Sequence, residues 1–280
     1  MASAASKIDR VSATVAWIAY TPVKGLRLRH CEETSLTVQG VPGDRAFFLV
    51  DDQRAMVSAT RLGPLVAVEA EHVEDAGTLT LTFPDGHSLA GSTELGEAEE
   101  VRFHGLTLNA RPVIGPFSQA LSEHCGVTLR MFASPRERSG IDRGSIGAVT
   151  LLSLASLQRL QAAAGESSAI DPRRFRMTFG VDGVGAHEED QWIDRAVRVG
   201  EATLRVAGNV GRCALTTRKA DTGVVDFQTL HHLASYRGEE PATEPLPFGV
   251  HASVLEPGRV RVGDSVELAE DHAGSRDWDE

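Results

Sequence analysis

The hydrophobic and polar positions of the chain change period several times, and each change predicts an element. Alternation over 11–20 (VSATVAWIAY) predicts a strand, and short runs rich in Val, Thr, Phe and Leu follow at 33–40, 44–52, 65–73 and 78–86. Pro42-Gly43, Asp51-Asp52, Ala76-Gly77 and Pro84-Asp85-Gly86 punctuate them. Short strands regularly spaced between turn residues predict a small β-barrel or sandwich. The period changes at 115–126, where Phe117, Ala120 and Leu121 fall at helical spacing and Gly126 supplies a stop. A strand at 127–132 and a polar, basic, glycine-bearing loop at 134–147 come next. Residues 149–165 read as a strand running into a helix, with Ser153 as its N-cap and Gly165 as its terminating glycine. Strands are predicted at 175–181, 196–200, 202–210 and 212–219 and a helix at 227–238. A β-meander at 248–268 closes the pattern, with turns at Pro257-Gly258 and Gly263-Asp264. The expected fold class is mostly β with a few helices (α+β), in two barrel-like modules at 11–110 and 111–270, with an acidic, disordered tail at 271–280.

Charge narrows the partners. The 280 residues carry a formal net charge of −11, which argues against non-specific binding to nucleic acid or to an anionic membrane surface. The first residues, MASAASKIDR, contain no apolar signal-peptide core, and no apolar run approaches the ~20 residues that span a bilayer. The three cysteines, Cys31, Cys125 and Cys213, share no CxxC spacing, which disfavours a zinc ribbon or a disulfide framework. The expectation is a cytoplasmic protein with no nucleic-acid or membrane partner.

Several familiar chemistries lack their residues. There is no GxSxG, no GxxxxGK[ST], no GxGxxG after a strand and no HExxH; GVDGVG at 180–185 only superficially resembles a phosphate loop. His231 and His232 are adjacent on a predicted helix, about 100° apart, and so are poor co-ligands. What stands out is arginine in predicted loops: Arg136, Arg138 and Arg143, then Arg173, Arg174 and Arg176, then Arg212. Lys24, Arg45 and Arg61 sit at strand ends beside Gly or Pro. Fixed cations beside close-approaching backbone suit a phosphate or carboxylate, against the alternative of surface salt bridges. Cys31 and Cys125 read as small buried hydrophobes. Cys213, in GNVGRCALTT, has Arg212 beside it to favour a thiolate, and from its neighbours alone it stays balanced between structural and reactive.

Longer stretches carry a family resemblance. GRCALTTRKADTGVVDFQTLHHLASYR (211–237) resembles the cofactor-cysteine segment of MOSC-domain proteins, and among them that of the amidoxime-reducing components. YTPVKGLRL, VPGDRAFFLVDD and MVSATRLGPLV resemble the MOSC N-terminal β-barrel, and DPRRFRMTFGVDG, EEDQW and FGVHASVLEPGRVRVGDSVEL match further segments in order, so that the likeness covers roughly 15–268. The resemblance implies a molybdenum cofactor, Mo on a pterin dithiolene, with Cys213 as the metal's thiolate and the catalytic residue. It implies that Lys24, Arg45, Arg176 and Arg212 hold the pterin and its phosphate, with Ser145 lining it. The implied activity is reduction of small N-hydroxylated or N-oxide molecules, with electrons from a separate donor protein, ferredoxin or cytochrome b5-like with a flavin reductase. The alternative within the same likeness is a carrier of sulfur or cofactor on a Cys213 persulfide. Gly25, Thr178 and His251 depart from the amidoxime-reducing pattern, which has Ser, Asn and Tyr there, and this bears on substrate identity.

Overall fold

The computed structural model describes residues 13–135 and 144–269, apart from the side chain of Ser145. The fold is α+β, with short strands in four sheets and three α-helices against them among the described residues. The largest sheet has eight strands, in the order Val266–Leu268, Ala196–Val199, Ala202–Gly211, Pro247–Glu256, Val149–Ser153, Phe179–Asp182, Thr14–Tyr20, Arg29–Cys31. A five-stranded sheet runs Met56–Val57, Phe47–Val50, Arg130–Ala133, Leu106–Pro112, Glu99–Phe103, and Glu69–Val73, Thr78–Thr82 and Ser88–Ser92 form a meander. Each half of the chain lends a strand to the other. Thr14–Tyr20 pairs antiparallel with Phe179–Asp182, and Arg130–Ala133 lies between Phe47–Val50 and Leu106–Pro112. One core gathers Ile18, Val149, Phe179, Val206 and Val250 in the large sheet. Another gathers Leu26, Leu49, Leu65, Leu79, Leu121 and Met131 in the barrel-like half.

The helices form where their periodicity and caps predict. Phe117–Cys125 ends at Gly126 in the left-handed region, φ 68°. Leu154–Ala164 starts at Ser153, whose Oγ accepts from Ser156 N, and ends at Gly165, φ 69°. The third helix spans Thr229–Arg237. The strands predicted as a meander at 248–268 do not pair with one another: Gly258–Arg261 pairs with Glu33–Leu36 and Val266–Leu268 with Ala196–Val199. Five predicted strands change. The run 65–73 is a strand only over Glu69–Val73, because Gly63–Ala67 is a 3-10 turn with Pro64 in its first turn. The runs 33–40 and 44–52 shorten to Glu33–Leu36 and Phe47–Val50, because Gly40, Gly43 and Arg45 take positive φ. The run at 175–181 is a strand only over Phe179–Asp182, since Pro172–Phe175 is a 3-10 turn and Arg176 is left-handed. The run at 212–219 is not a strand: Ala214–Thr217 is a 3-10 turn capped by Cys213. Its threonines explain the change, because Thr216 Oγ1 donates to Cys213 O at 3.0 Å and Thr217 Oγ1 to Ala214 O at 2.7 Å, giving the backbone a local alternative to a sheet ladder.

Val149–Ser153 and Phe179–Asp182 are parallel neighbours, with the Leu154–Ala164 helix in their crossover. The segment that returns to Phe179 carries Arg174 and Arg176 past the end of the sheet. Register there depends on Gly180, where a Cβ would fall 2.1 Å from the Trp17 ring. Gly180→Ala is expected to cost about 2 kcal/mol, read by chemical denaturation, as overpacking a filled site does.

Candidate functional site

The strand Ala202–Gly211 shifts register three times against Pro247–Glu256 and stops at Gly211, where a Cβ would lie 2.8 Å from Pro245 O. Beyond it the chain leaves the sheet. Arg212 turns inward: Nε donates to Phe248 O at 2.9 Å, Nη1 to Phe175 O at 2.9 Å, and Nη2 also to Phe248 O. Its guanidinium lies over both phenyl rings, 5.5 Å from Phe175 and 6.0 Å from Phe248. Cys213 comes next, extended and exposed. Thr216 N donates to Cys213 O at 3.2 Å, and buried Thr229 Oγ1 holds Thr216 O at 2.7 Å. The cysteine is thus a fixed, outward-facing thiol between an arginine tie and a capped turn.

Cys213 opens on a cavity of about 160 Å³. Lys24, Arg45, Arg176 and Arg212 line it with Cys213, so five of the six residues singled out from the sequence meet in one place. The sixth, Ser145, lies in the 3-10 turn Gly144–Gly147, and its side chain is outside the described residues. Arg136, Arg138 and Arg143 also fall outside them. Arg61 is elsewhere, on the surface, paired to Asp51 at 2.7 Å. Residues that sequence reasoning did not single out complete the wall, among them Ser58, Ala59, Thr150, Phe175 and Met177.

The lining of the cavity is cationic. Five cations (Lys24, Arg45, Arg174, Arg176, Arg212) line it; Arg45 is ion-paired to Asp44 and Arg174 to Asp226. In a chain of net −11 this is a local reversal of sign, the form an anion site takes. Arg45 and Arg176 both have positive φ, 50° and 55°, a strained backbone for a side chain with a Cβ. The strain is held by hydrogen bonds: Arg45 N donates to Thr21 O at 2.6 Å, Ser134 Oγ donates to Arg45 O at 2.7 Å, and Arg45 Nη2 donates to Arg176 O at 3.2 Å. Arg176 Nη2 in turn donates to Leu26 O at 2.8 Å. A larger cavity of about 360 Å³ shares Arg45 but reaches no cysteine.

The three departures have structural causes. Gly25 has φ +94°, which a serine would adopt only under strain. Thr178 is fully buried and exchanges bonds with Thr150: Thr178 N donates to Thr150 Oγ1 at 2.9 Å and Thr150 N to Thr178 Oγ1 at 3.2 Å. His251 Nδ1 lies 3.1 Å from Ile146 O, tying the turn that carries Ser145 to the sheet. The other two thiols are half-buried and packed on the cores. Burial raises the Cys31 thiol and pushes Cys125 up to about 11, which suits inert fillers.

Comparison with known proteins gives matches along most of the chain. Residues 12–128 match the MOSC N-terminal beta barrel domain and residues 140–267 the MOSC domain. Mitochondrial amidoxime-reducing component 1 of Mus musculus is 26% identical over 282 residues, covering 91% of this chain and 82% of the relative. Mitochondrial amidoxime reducing component 2 of Bos taurus is 27% identical over 270 residues, covering 87% and 78%. Among solved structures, the YUAD protein from Bacillus subtilis covers 92% of this chain and 96% of its own at 11% identity, with a TM-score of 0.43, a likeness too loose to bear on the site.

Proposed function

The chain belongs to the MOSC-domain proteins, and from that premise we propose that it is a molybdenum cofactor-dependent oxidoreductase that reduces N-hydroxylated or N-oxide compounds. The observation that carries the reading is the exposed Cys213 thiol at a cavity walled by Lys24, Arg45, Arg176 and Arg212. Among the described residues no group of three or more His, Cys, Asp and Glu could hold a bare metal ion. A single soft thiolate amid cations instead fits a metal that arrives with its own ligands and an anionic carrier. Cys213 would supply the one protein ligand, while Lys24, Arg45 and Arg176 would face the pterin and its phosphate. Arg212, whose donors reach two backbone carbonyls, would position the ligand-bearing turn. The Cys213 cavity alone is smaller than the ~300 Å³ usual for ligand sites. Arg45 also lines the 360 Å³ cavity.

Once bound, the cofactor would supply two-electron removal of oxygen from an N–O bond. The net reaction takes an N–OH group, two electrons and two protons to N–H and water. The electrons come from a separate protein, ferredoxin or cytochrome b5-like. The cationic wall holds the anionic cofactor without making the protein a general anion binder.

The test is metal and pterin analysis of purified protein beside reductase activity on an amidoxime with reduced viologen as donor. Wild type is expected to carry on the order of one Mo per chain, as one thiolate site implies. Cys213→Ala is expected to lose most of the Mo and all activity while melting like the cofactor-free parent, because the side chain is exposed. A Cys213→Ser protein with full activity sinks the reading. The second reading, a sulfur carrier, rests on the same exposure, since a persulfide must be handed to a partner. Mass spectrometry showing one added sulfur on Cys213, together with no reductase activity, selects it.

A further inference from the structure

The segment after Cys213 is also tied to the barrel-like half of the chain, and that tie reaches the sulfur. Arg218 Nη2 donates to Thr60 O at 2.9 Å and Nη1 to Gly223 O at 2.7 Å, so one planar fork spans two backbone carbonyls. Beneath the fork the two backbones nearly touch. A Cβ at Gly223, φ +73°, would lie 2.0 Å from Gly63 O, and a Cβ at Gly63 would lie 2.5 Å from Gly223 O. Only glycine at both positions permits this seam. Leu215, two residues past the cysteine, packs against the barrel-half core and strengthens the join. Thr60 is thereby held by its carbonyl while its hydroxyl faces the other way, with Oγ1 3.8 Å from Cys213 Sγ.

We infer that Thr60 is the barrel half's contact with the reactive sulfur, its hydroxyl donating to the thiolate, and that Arg218 is the positioning residue that keeps it there. The pairing makes the thiol's character depend on both halves of the chain: Arg212 fixes Cys213 to the large sheet, and Arg218 brings Thr60 to it from the barrel side. The inference does not depend on whether the sulfur ligates a metal or carries sulfur, so it can fail without the proposed function failing, and the reverse.

The experiment measures Cys213 alkylation by iodoacetamide in full-length, cofactor-free protein, read on the Cys213 peptide by mass spectrometry. The rate is followed as pH is raised until it no longer changes, and that limiting rate reports the thiolate's nucleophilicity alone. A thiolate that loses a hydrogen-bond donor becomes more nucleophilic. Thr60→Val is expected to raise that limiting rate about two- to threefold, because a thiolate's intrinsic nucleophilicity rises with its basicity. Thr60→Ser is expected to restore the parent rate. Arg218→Lys, whose single ammonium cannot span both carbonyls, is expected to raise it similarly. The double variant Thr60→Val with Arg218→Lys is expected to match Thr60→Val alone, because Arg218 acts through Thr60. A Thr60→Val rate equal to the parent overturns the contact, and failure of serine to restore the rate overturns the hydroxyl as its basis. An Arg218→Lys effect that persists undiminished in the Thr60→Val background reduces Arg218 to general support of the fold.

Discussion

Arg212→Lys is expected to detach the cofactor-binding turn while leaving Cys213 in the sequence. Three guanidinium nitrogens of Arg212 hold two carbonyls, Phe248 O and Phe175 O, from two different segments. A lysine ammonium keeps the charge but lacks the planar fork, so it can satisfy one carbonyl well and leaves the other short of a donor. Losing a hydrogen bond from a charged donor and stranding a part-buried carbonyl together cost about 3 kcal/mol. The cation–π contact over Phe175 and Phe248 weakens as well. The expected result is a melting transition lower by several degrees and Mo content down at least tenfold. Cys213→Ala gives the complementary phenotype, with metal lost and the stability of the cofactor-free parent kept. If Arg212→Lys melts like the parent and retains its metal, Arg212 is not the tie that the geometry describes.

That division of labour between neighbouring residues was only partly legible in the sequence. Helix boundaries could be read because they are local: Ser153 and Gly165 cap one helix, and Gly126 ends another, through their own backbone chemistry. The convergence of Lys24, Arg45, Arg176, Arg212 and Cys213 on one cavity was read from ordered motifs, and no periodicity reports it, since it spans 190 residues of chain. The turn after Cys213 was misread because Ala-Leu-Thr-Thr has strand composition, while its two hydroxyls bond back to carbonyls three residues earlier. Thr60, Arg218 and the Gly63–Gly223 seam were not singled out at all. Each is unremarkable alone, and each matters through a contact about 150 residues away. The exchange of Thr14–Tyr20 and Arg130–Ala133 between the two halves was illegible for the same reason: strand pairing across long separations leaves no local signature.

A buried carboxyl and a half-buried imidazole that play no part in the proposed chemistry give the second large effect. Glu189 is fully buried; its Oε1 accepts from Ser156 Oγ at 2.9 Å and Ser153 N at 3.2 Å, and its Oε2 has no hydrogen-bond partner. Burial pushes its carboxyl up to about 7 from an ordinary 4.5. His187, two residues earlier, has both ring nitrogens buried without hydrogen bonds, and burial, with Arg237 and Arg159 nearby, pushes it down to about 4 from 6.5. Tyr236, Arg237 and Asp190 face the same region from the third helix and the adjoining turn. The two shifts act oppositely on stability. The folded chain holds the Glu189 proton more tightly than the unfolded chain, so that contribution is complete below about 4.5 and is lost as pH rises through about 7, about 3 kcal/mol in all. The folded chain holds the His187 proton less tightly, so that contribution is complete above 6.5 and is lost as pH falls through about 4. Between about 4.5 and 6.5 the two slopes largely cancel, and each single variant exposes the other. Glu189→Gln, which keeps the shape of the protonated acid, is expected to gain stability relative to the parent as pH rises from 5 to 7.5. His187→Asn is expected to gain relative to the parent as pH falls over the same interval. Urea midpoints at the two pH values measure both, and subtracting the parent removes titrations common to all three proteins. The hydrogen-bonded Glu99–Arg130 pair does not interfere, because Arg130 holds that carboxyl low and it titrates below this window. A Glu189→Gln profile parallel to the parent means that the carboxyl is ionised in the folded chain throughout, and the burial argument for this cluster fails.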